Sequence, residues 1–415
     1  MAMKDGCDIQ SSHEWEVLVV RDFEGIEAVR QTWEKMQAEE PYPRINADID
    51  KYLTTLKASS DSLEPYIIVL NENGRPVAML IGWIGKSRLK CAIGRRILFK
   101  PALRQLSVIY GGVIGSRAEH IGRVLVGELI KELRRGEVDV VFFNHLETDS
   151  SLYHVARKMP GLLCRDHFPK VEPHRCMSIP EGFDRFLEAC SHNSRRNFKR
   201  WTRKLENRYP GQIRMITYSE ENEVAEAIEI AAKISAETYQ HAYGGGVTND
   251  ARTRAFFRAT AKKGWLRIHI LFIGDEPCAF LTALKYGRIY SAELTGYSPK
   301  WRDLRVGSIL FFKIVEQLCG DPAVDSFDYS FGEDQHKRWG DSRQWPEASV
   351  LIFAPRIFPV FVNQMQSSTL AISILTQHVI TKLGIRNPVQ RYRRKRILEK
   401  AQRVKGNQSL LEKNH

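Results

Sequence analysis

Apolar positions along this chain recur at two spacings, one near 3.6 residues and one near 2, and segments of the two kinds follow each other in an ordered way. Residues 17–20 form a short strand-like run. Residues 23–36 then place Ile26, Val29, Trp33 and Met36 on one helical face. Residues 65–70 and 76–84 are strand-like and flank Asn71-Glu72-Asn73-Gly74-Arg75, a hairpin signal. Two more apolar stretches lie within 98–114. Residues 118–135 are amphipathic at helical spacing and stop at Gly136, and 138–143 read as a buried strand. Residues 160–180 read as irregular, except that 174–179 are extended. A helical stretch opens at 182–190.

The second half replays this order. Residues 212–218 read as a strand and 220–240 as a long helix, ending in the loop Ala242-Tyr243-Gly244-Gly245-Gly246. Strands at 266–273 and 277–286 flank Gly274-Asp275-Glu276, and a further strand covers 288–297. Residues 307–318 are helical and 324–331 extended. Pro76-Val77-Ala78-Met79-Leu80 corresponds to Pro277-Cys278-Ala279-Phe280-Leu281, and Val138-Asp139 to Val324-Asp325, at nearly constant spacing. The pattern predicts a duplicated α/β unit of about 180 residues with a mixed sheet. After Pro355 the apolar runs are interrupted by polar residues, and 370–383 read as one helix that packs back on the body or lies on a membrane.

Composition narrows the class. With 43% hydrophobic and 27% charged residues the 415-residue chain is globular rather than disordered. No run approaches the roughly 18 apolar residues of a membrane-spanning helix, and residues 1–12, with Lys4, Asp5 and Asp8, lack the apolar centre of a signal peptide. Seven cysteines without a framework fit a reducing cytoplasm. The net charge of +13 is concentrated in two places. Residues 386–415 hold ten Lys/Arg against two Glu, and 194–208 hold seven against one, so the remainder is close to neutral. Two basic patches on a neutral body exclude a uniformly basic nucleic-acid coat.

Four segments of the second half carry a family likeness. They are the basic stretch Ser194-Arg195-Arg196-Asn197-Phe198-Lys199-Arg200-Trp201; Glu237-Thr238-Tyr239-Gln240 with its glycine loop; Gly264-Trp265-Leu266-Arg267 with Gly274-Asp275-Glu276-Pro277; and Asp328-Tyr329-Ser330-Phe331-Gly332-Glu333-Asp334-Gln335-His336-Lys337, closed by Trp345-Pro346-Glu347 and Phe353-Ala354-Pro355. In their order and spacing they resemble the CelD/FemAB-like branch of the GNAT acyltransferase superfamily, whose members carry two tandem GNAT units. The likeness covers about 165 residues well and the N-terminal half in element order only. The chain departs from the family pattern at Tyr329-Ser330, at His336 and at Arg305-Val306-Gly307.

The resemblance implies an α/β, mixed-sheet fold with a tandem GNAT-like duplication. One unit spans 15–180, a second, the catalytic candidate, spans 181–355, and a helical, basic extension covers 356–415. It implies an acyltransferase that moves an acyl group to an amine or hydroxyl of a cell-envelope, polysaccharide or small-molecule precursor, including a lipid-linked one. Acyl-coenzyme A is the leading donor, with no metal. The alternatives are aminoacyl-tRNA as donor, as in FemAB-like enzymes, or a non-catalytic scaffold in polysaccharide biosynthesis. The expected location is the cytoplasm, with the basic tail suited to anionic lipid at the inner face of the membrane.

Such chemistry needs a proton acceptor, a donor for the developing oxyanion and alignment of the reactants. In a GNAT unit the resemblance implies that a splayed strand supplies a backbone N–H and that the next helix N-terminus receives the pyrophosphate. That helix begins near Gly307 and Ser308 with Arg302 and Arg305 beside it, and unpaired amides favour an anion there. By the same resemblance Asp328 and Lys337 belong to the site; His336 and Glu293 are further proton-transfer candidates. Tyr239 and Gln240 suit a substrate loop. Arg196 and Arg200 lie on a basic stripe opposite Phe198, Trp201 and Leu205, suited to an anionic donor or acceptor. Cys164-x2-His167 and His174-x-Cys176 superficially resemble zinc ligands, but alternation in an extended segment puts His174 and Cys176 on one face, as in packing.

Overall fold

The structure is a computed structural model, and it describes residues 15–59, 62–94, 96–238, 246–331, 339–340 and 342–382. Its centre is a twelve-stranded mixed sheet. The N-terminal half contributes β1 (Trp15–Val20), β2 (Leu63–Glu72), β3 (Arg75–Arg88), β6 (Ala102–Gly115), β7 (Val140–Glu147) and β8 (Val171–Ser178), with a small separate hairpin of β4 (Cys91–Ile93) and β5 (Arg96–Phe99). The C-terminal half contributes β9 (Ile213–Tyr218), β10 (Leu266–Ile273), β11 (Glu276–Tyr286), β12 (Ile289–Tyr297), β13 (Ser326–Phe331) and β14 (Ser342–Phe353).

Each half is ordered alike from its outer edge, β1-β2-β3-β6-β7 and β9-β10-β11-β12-β13. In both, the first four strands are antiparallel neighbours and the fourth and fifth run parallel. The two expected hairpins, β2-β3 and β10-β11, therefore hold equivalent positions. At the first, Asn73 and Gly74 both have positive φ (52° and 74°), the pair of left-handed residues that a two-residue hairpin turn requires.

The halves are stitched together by exchange of their last strands. β14 pairs with β7 of the first half, β8 pairs with β13 of the second, and β8 and β14 pair with each other in the middle. The sheet thus runs unbroken through both halves.

Helices cover both faces. On one lie α1 (Phe23–Ala28), α2 (Arg30–Ala38) and α3 (Ile49–Ala58), and over the second half α8 (Val224–Ala236) and α9 (Ala251–Lys262). On the other lie α4 (Glu119–Arg135) and α5 (Ser151–Lys158), then α6 (Phe183–Ala189), α7 (His192–Arg208) and α10 (Val306–Cys319). The helix expected over 23–36 is broken at Val29, but Ile26, Val29, Trp33 and Met36 all point into the core as their spacing requires. Helices α3, α5 and α9 are elements the apolar spacing did not reveal. The helix expected at 370–383 is α11 (Ile357–Lys382), which starts more than three turns earlier. Among the described residues, no helix is long and apolar enough to cross a membrane.

Candidate functional site

In both halves the two central parallel strands separate after a short paired stretch. β6 and β7 pair up to Val108 opposite Phe143, and β12 and β13 up to Ser291 opposite Asp328. Just past each parting the fifth strand takes a left-handed residue, His145 (φ 54°) in β7 and Ser330 (φ 60°) in β13. The fourth strands bulge as well. In β12 the register slips so that Glu293 is the extra residue, and the amide of Leu294 is satisfied by the Thr282 hydroxyl at 3.1 Å. In β6 the slip involves residues 109–112, including Tyr110. Divergence of two parallel strands leaves main-chain amides without a neighbouring strand, so each half presents a cleft at this point.

The helix following the open strand differs between the halves. α10 begins after Arg305, itself in the left-handed region (φ 58°), with no side-chain cap and no acidic residue in its first turn. Arg302 and Arg305 are exposed there, and Arg305 lies 5.9 Å over the Trp201 ring of α7. α7 packs on α10 through Phe198, stacked on Phe312 at 4.2 Å, together with Trp201 and Leu205, the stripe expected from the sequence. Arg196, Arg200 and Lys204, spaced by four, share its outer stripe, and Lys204 donates to the Asp303 carbonyl just before α10. The uncapped end of α10 is therefore flanked by Arg302 and Arg305, with the exposed Asp303 between them. The corresponding α4 instead carries Glu119 in its first turn, which disfavours an anion.

Below the cleft of the second half lies a buried polar cluster built from both halves. Asp328 is 5% exposed. It accepts from Arg44 Nη1 at 2.7 Å through one oxygen and from the Ser330 amide at 2.7 Å through the other. His174 Nε2 lies 2.8 Å from that second oxygen without forming an aligned hydrogen bond. Burial alone would raise the Asp328 carboxyl, but His174 and the Arg44 charge outweigh it and hold the pKa below the ordinary aspartate value. Arg44 reaches across because Gly111 (φ 69°) has no side chain; a Cβ there would stand 2.6 Å from Arg44 Cγ. Its guanidinium also lies 4.4 and 4.9 Å over the Tyr42 and Tyr110 rings.

Glu347 of β14 completes the cluster. One carboxylate oxygen accepts from Trp345 Nε1 at 2.6 Å and from the Tyr110 hydroxyl at 3.4 Å, while the other has no hydrogen-bond partner. Burial pushes its pKa up, opposed by His174, Trp345 and Arg44. Two carboxylates on either side of one imidazole are thus driven in opposite directions, a division of roles common where one group must stay ionised and another exchange a proton. Toward the first half, the His145 ring stacks on Phe331 at 3.7 Å.

The expected residues fare differently. Asp328 lies inside β13, within the extended stretch expected at 324–331, and its oxygens are occupied by structural partners. Glu293 sits on the bulge, exposed, close enough to the buried Lys51 of α3 to oppose the lowering of that amine's pKa by burial. Arg302, Arg305, Gly307 and Ser308 gather at the start of α10, with Arg196 and Arg200 on the adjacent helix. His336, Lys337, Tyr239 and Gln240 lie outside the described residues. His174 and Cys176 do share a face, but His174 belongs to the charged cluster and Cys176 Sγ contacts the Tyr42 hydroxyl at 3.2 Å, so packing alone does not describe them. Arg44, Tyr110 and Glu347 were missed. Only Glu347 carried a signal, as a carboxylate inside an apolar strand.

Residues 192–338 match the family model for the acetyltransferase (GNAT) domain, beginning at the first residue of α7. No curated protein sequence matches significantly. Among solved structures, FemX is similar at 9% identity and a TM-score of 0.54, covering 78% of this chain and 95% of that one. A protein of unknown function from Bacteroides thetaiotaomicron is similar at 8% identity and a TM-score of 0.50, covering 78% and 97%. A tandem GNAT protein from the clavulanic acid biosynthesis pathway gives 13% identity and a TM-score of 0.49, covering 83% and 100%. At these identities the likeness is one of fold. Residues 192–338 of this chain thus match an acetyltransferase (GNAT) domain, and the chain as a whole shares the fold of FemX.

Proposed function

We propose that the second half binds an acyl-coenzyme A donor and transfers its acyl group to an amine or hydroxyl of an envelope, polysaccharide or small-molecule precursor. The observation that carries this reading is the asymmetry between the halves: only α10, of the two equivalent helices, has a first turn free of acid and flanked by arginines. A diphosphate would take the unpaired amides of that turn and the charges of Arg302 and Arg305, with Gly307 allowing close approach and Ser308 a further hydroxyl. The donor supplies the acyl carbonyl carbon and the thiolate leaving group.

The chain's own residues then have three tasks. Main-chain N–H groups where β12 leaves β13 are suited to the carbonyl oxygen. Glu293, at the bulge, is the candidate to take the acceptor's proton. Asp328 serves as an anchor, since Arg44 and the Ser330 amide already donate to it and His174 lies beside it, and it positions the strand leading to His336 and Lys337. That segment starts after Phe331, so Lys337 is suited to meet an acceptor carboxylate or phosphate, with His336 beside it. Tyr239 and Gln240 are assigned to acceptor binding, and Arg196 and Arg200 to the donor's outer phosphate. The residue ranges 15–180 and 181–355 remain our proposed division into units.

Calorimetric titration with acetyl-coenzyme A tests the reading. Saturable binding, weakened at least about tenfold in Arg302→Glu/Arg305→Glu with unchanged melting, is expected. Absence of binding alongside turnover that requires aminoacyl-tRNA would replace the donor. Absence of both would leave the scaffold reading.

A further inference from the structure

α11 buries Val362 in the core but also turns polar groups toward the body and leaves an apolar stripe exposed. Its body-facing side carries polar groups: Asn363 is 1% exposed and donates to the carbonyls of Leu163 and Arg165 at 2.9 Å, Thr369 is 3% exposed, and Ser373 meets Ala92 and Gly94 of the β4-β5 hairpin. Its outer side carries Phe358, Phe361, Ile372, Leu375 and Val379, spaced by three, four or whole multiples of a turn and 45–64% exposed. Beside this stripe stand Ile97 and Leu98 of β5 and Leu162 and Leu163, each more than half exposed. The parts belong to one surface, because Phe99 packs edge-on against Phe361 and Asn363 holds the 163–165 backbone. This exposed stripe leaves several large side chains in water unless something apolar covers them.

The charges around the patch select the cover. Residues 86–104 and 356–382 contain no Asp or Glu. Arg104 and Arg356 are paired with Glu64 and Asp139. Arg88, Lys90, Arg96 and Lys100 are exposed and, among the described residues, have no carboxylate partner. Two copies meeting through this face would set these cations against each other. The chain's own tail, with ten Lys/Arg against two Glu over 386–415, would meet the same repulsion.

We propose that this face, α11 with the β4-β5 hairpin and residues 162–163, docks on an anionic lipid bilayer. The apolar stripe enters the acyl boundary, the basic rim meets the headgroups, and the helix lies in the interface plane without spanning it. The proposal is independent of the donor and of the acyl-transfer reading.

Co-sedimentation of the full chain with phosphatidylcholine vesicles, with and without about one-third phosphatidylglycerol, tests it. Binding should need the anionic lipid. Leu98→Glu/Leu375→Glu, two exposed side chains, should weaken it at least about tenfold with the tail intact and the melting temperature unchanged. Ile97→Ser/Leu98→Ser should weaken it as well. Neutralising the tail by Arg393→Gln/Arg394→Gln/Lys395→Gln/Arg396→Gln should leave most of it. The proposal is overturned if the Leu98/Leu375 variant binds like the parent, if tail neutralisation alone abolishes binding, or if the patch variants only dissociate a dimer in vesicle-free solution.

Discussion

Arg44 and Asp328 are separated by 284 positions in sequence and joined at 2.7 Å, with side chains 15% and 7% exposed. At an effective dielectric of about 20 their attraction is roughly 6 kcal/mol before desolvation, which takes back most of it. Removing one partner strands the other in a buried site and commonly costs about 3–5 kcal/mol. Asp328→Asn also loses the charge facing His174 and sets the carboxamide nitrogen against one of its two donors, Arg44 or the Ser330 amide, so we expect about 3 kcal/mol or more from that change. Arg44→Met keeps most of the stem that lies against Gly111 but leaves Asp328 with His174 and one amide; a similar loss is expected. In the double variant neither orphaned charge remains. Its loss should fall short of the sum by at least about 1.5 kcal/mol. Urea unfolding at pH 7.5, monitored by tryptophan fluorescence, measures all four corners of the cycle. Additivity within about 0.5 kcal/mol, or single losses under about 1 kcal/mol, would refute the claim that this pair ties the halves together. In parallel, kcat/KM for Asp328→Asn should fall at least about 30-fold, because the strand leading into the proposed acceptor loop loses its anchor.

Two further outcomes are expected. Lys337→Ala should lower kcat/KM at least about 30-fold with the melting temperature within a few degrees, as expected for a group that acts on substrate rather than on folding; near-parental turnover with the true acceptor would remove Lys337 from the site. His269, buried between Thr217 and Tyr290, is held neutral with its pKa lowered to about 3, chiefly by burial. Its unfolded form protonates near 6.5, so stability is fully present above that value and is lost as pH falls toward the folded pKa. From pH 7 to 5 the loss should be about 2 kcal/mol, seen as a steeper fall in urea midpoint for the parent than for His269→Gln; equal slopes would contradict the assignment.

The apolar pattern alone determined the hairpins, the long amphipathic helices α4, α7 and α10 and the replay of one unit by the other. These rest on contacts between residues a few positions apart, or on turn chemistry such as Asn73-Gly74, which a linear reading can follow. The left-handed residues at His145 and Ser330, and the bulges beside them, were not legible, because a register slip depends on which strand lies alongside. Nor was the exchange of β8 and β14. Residues 174–179 read as extended, but that the strand begins at Val171, runs through Pro173 and lies between β13 and β14 follows only from the two strands that satisfy its backbone. The cluster of Arg44, His174, Asp328 and Glu347 follows from that exchange, since four elements from both halves must meet before any of these charges has a partner. The sequence could nominate Asp328 by family resemblance, but only the tertiary arrangement showed it to be an anchor. α11 makes the same point from the surface. Its run of apolar residues predicts a helix, yet which side faces the body is decided by the carbonyls of residues 92, 163 and 165, which draw Ser373 and Asn363 inward and turn the apolar stripe out.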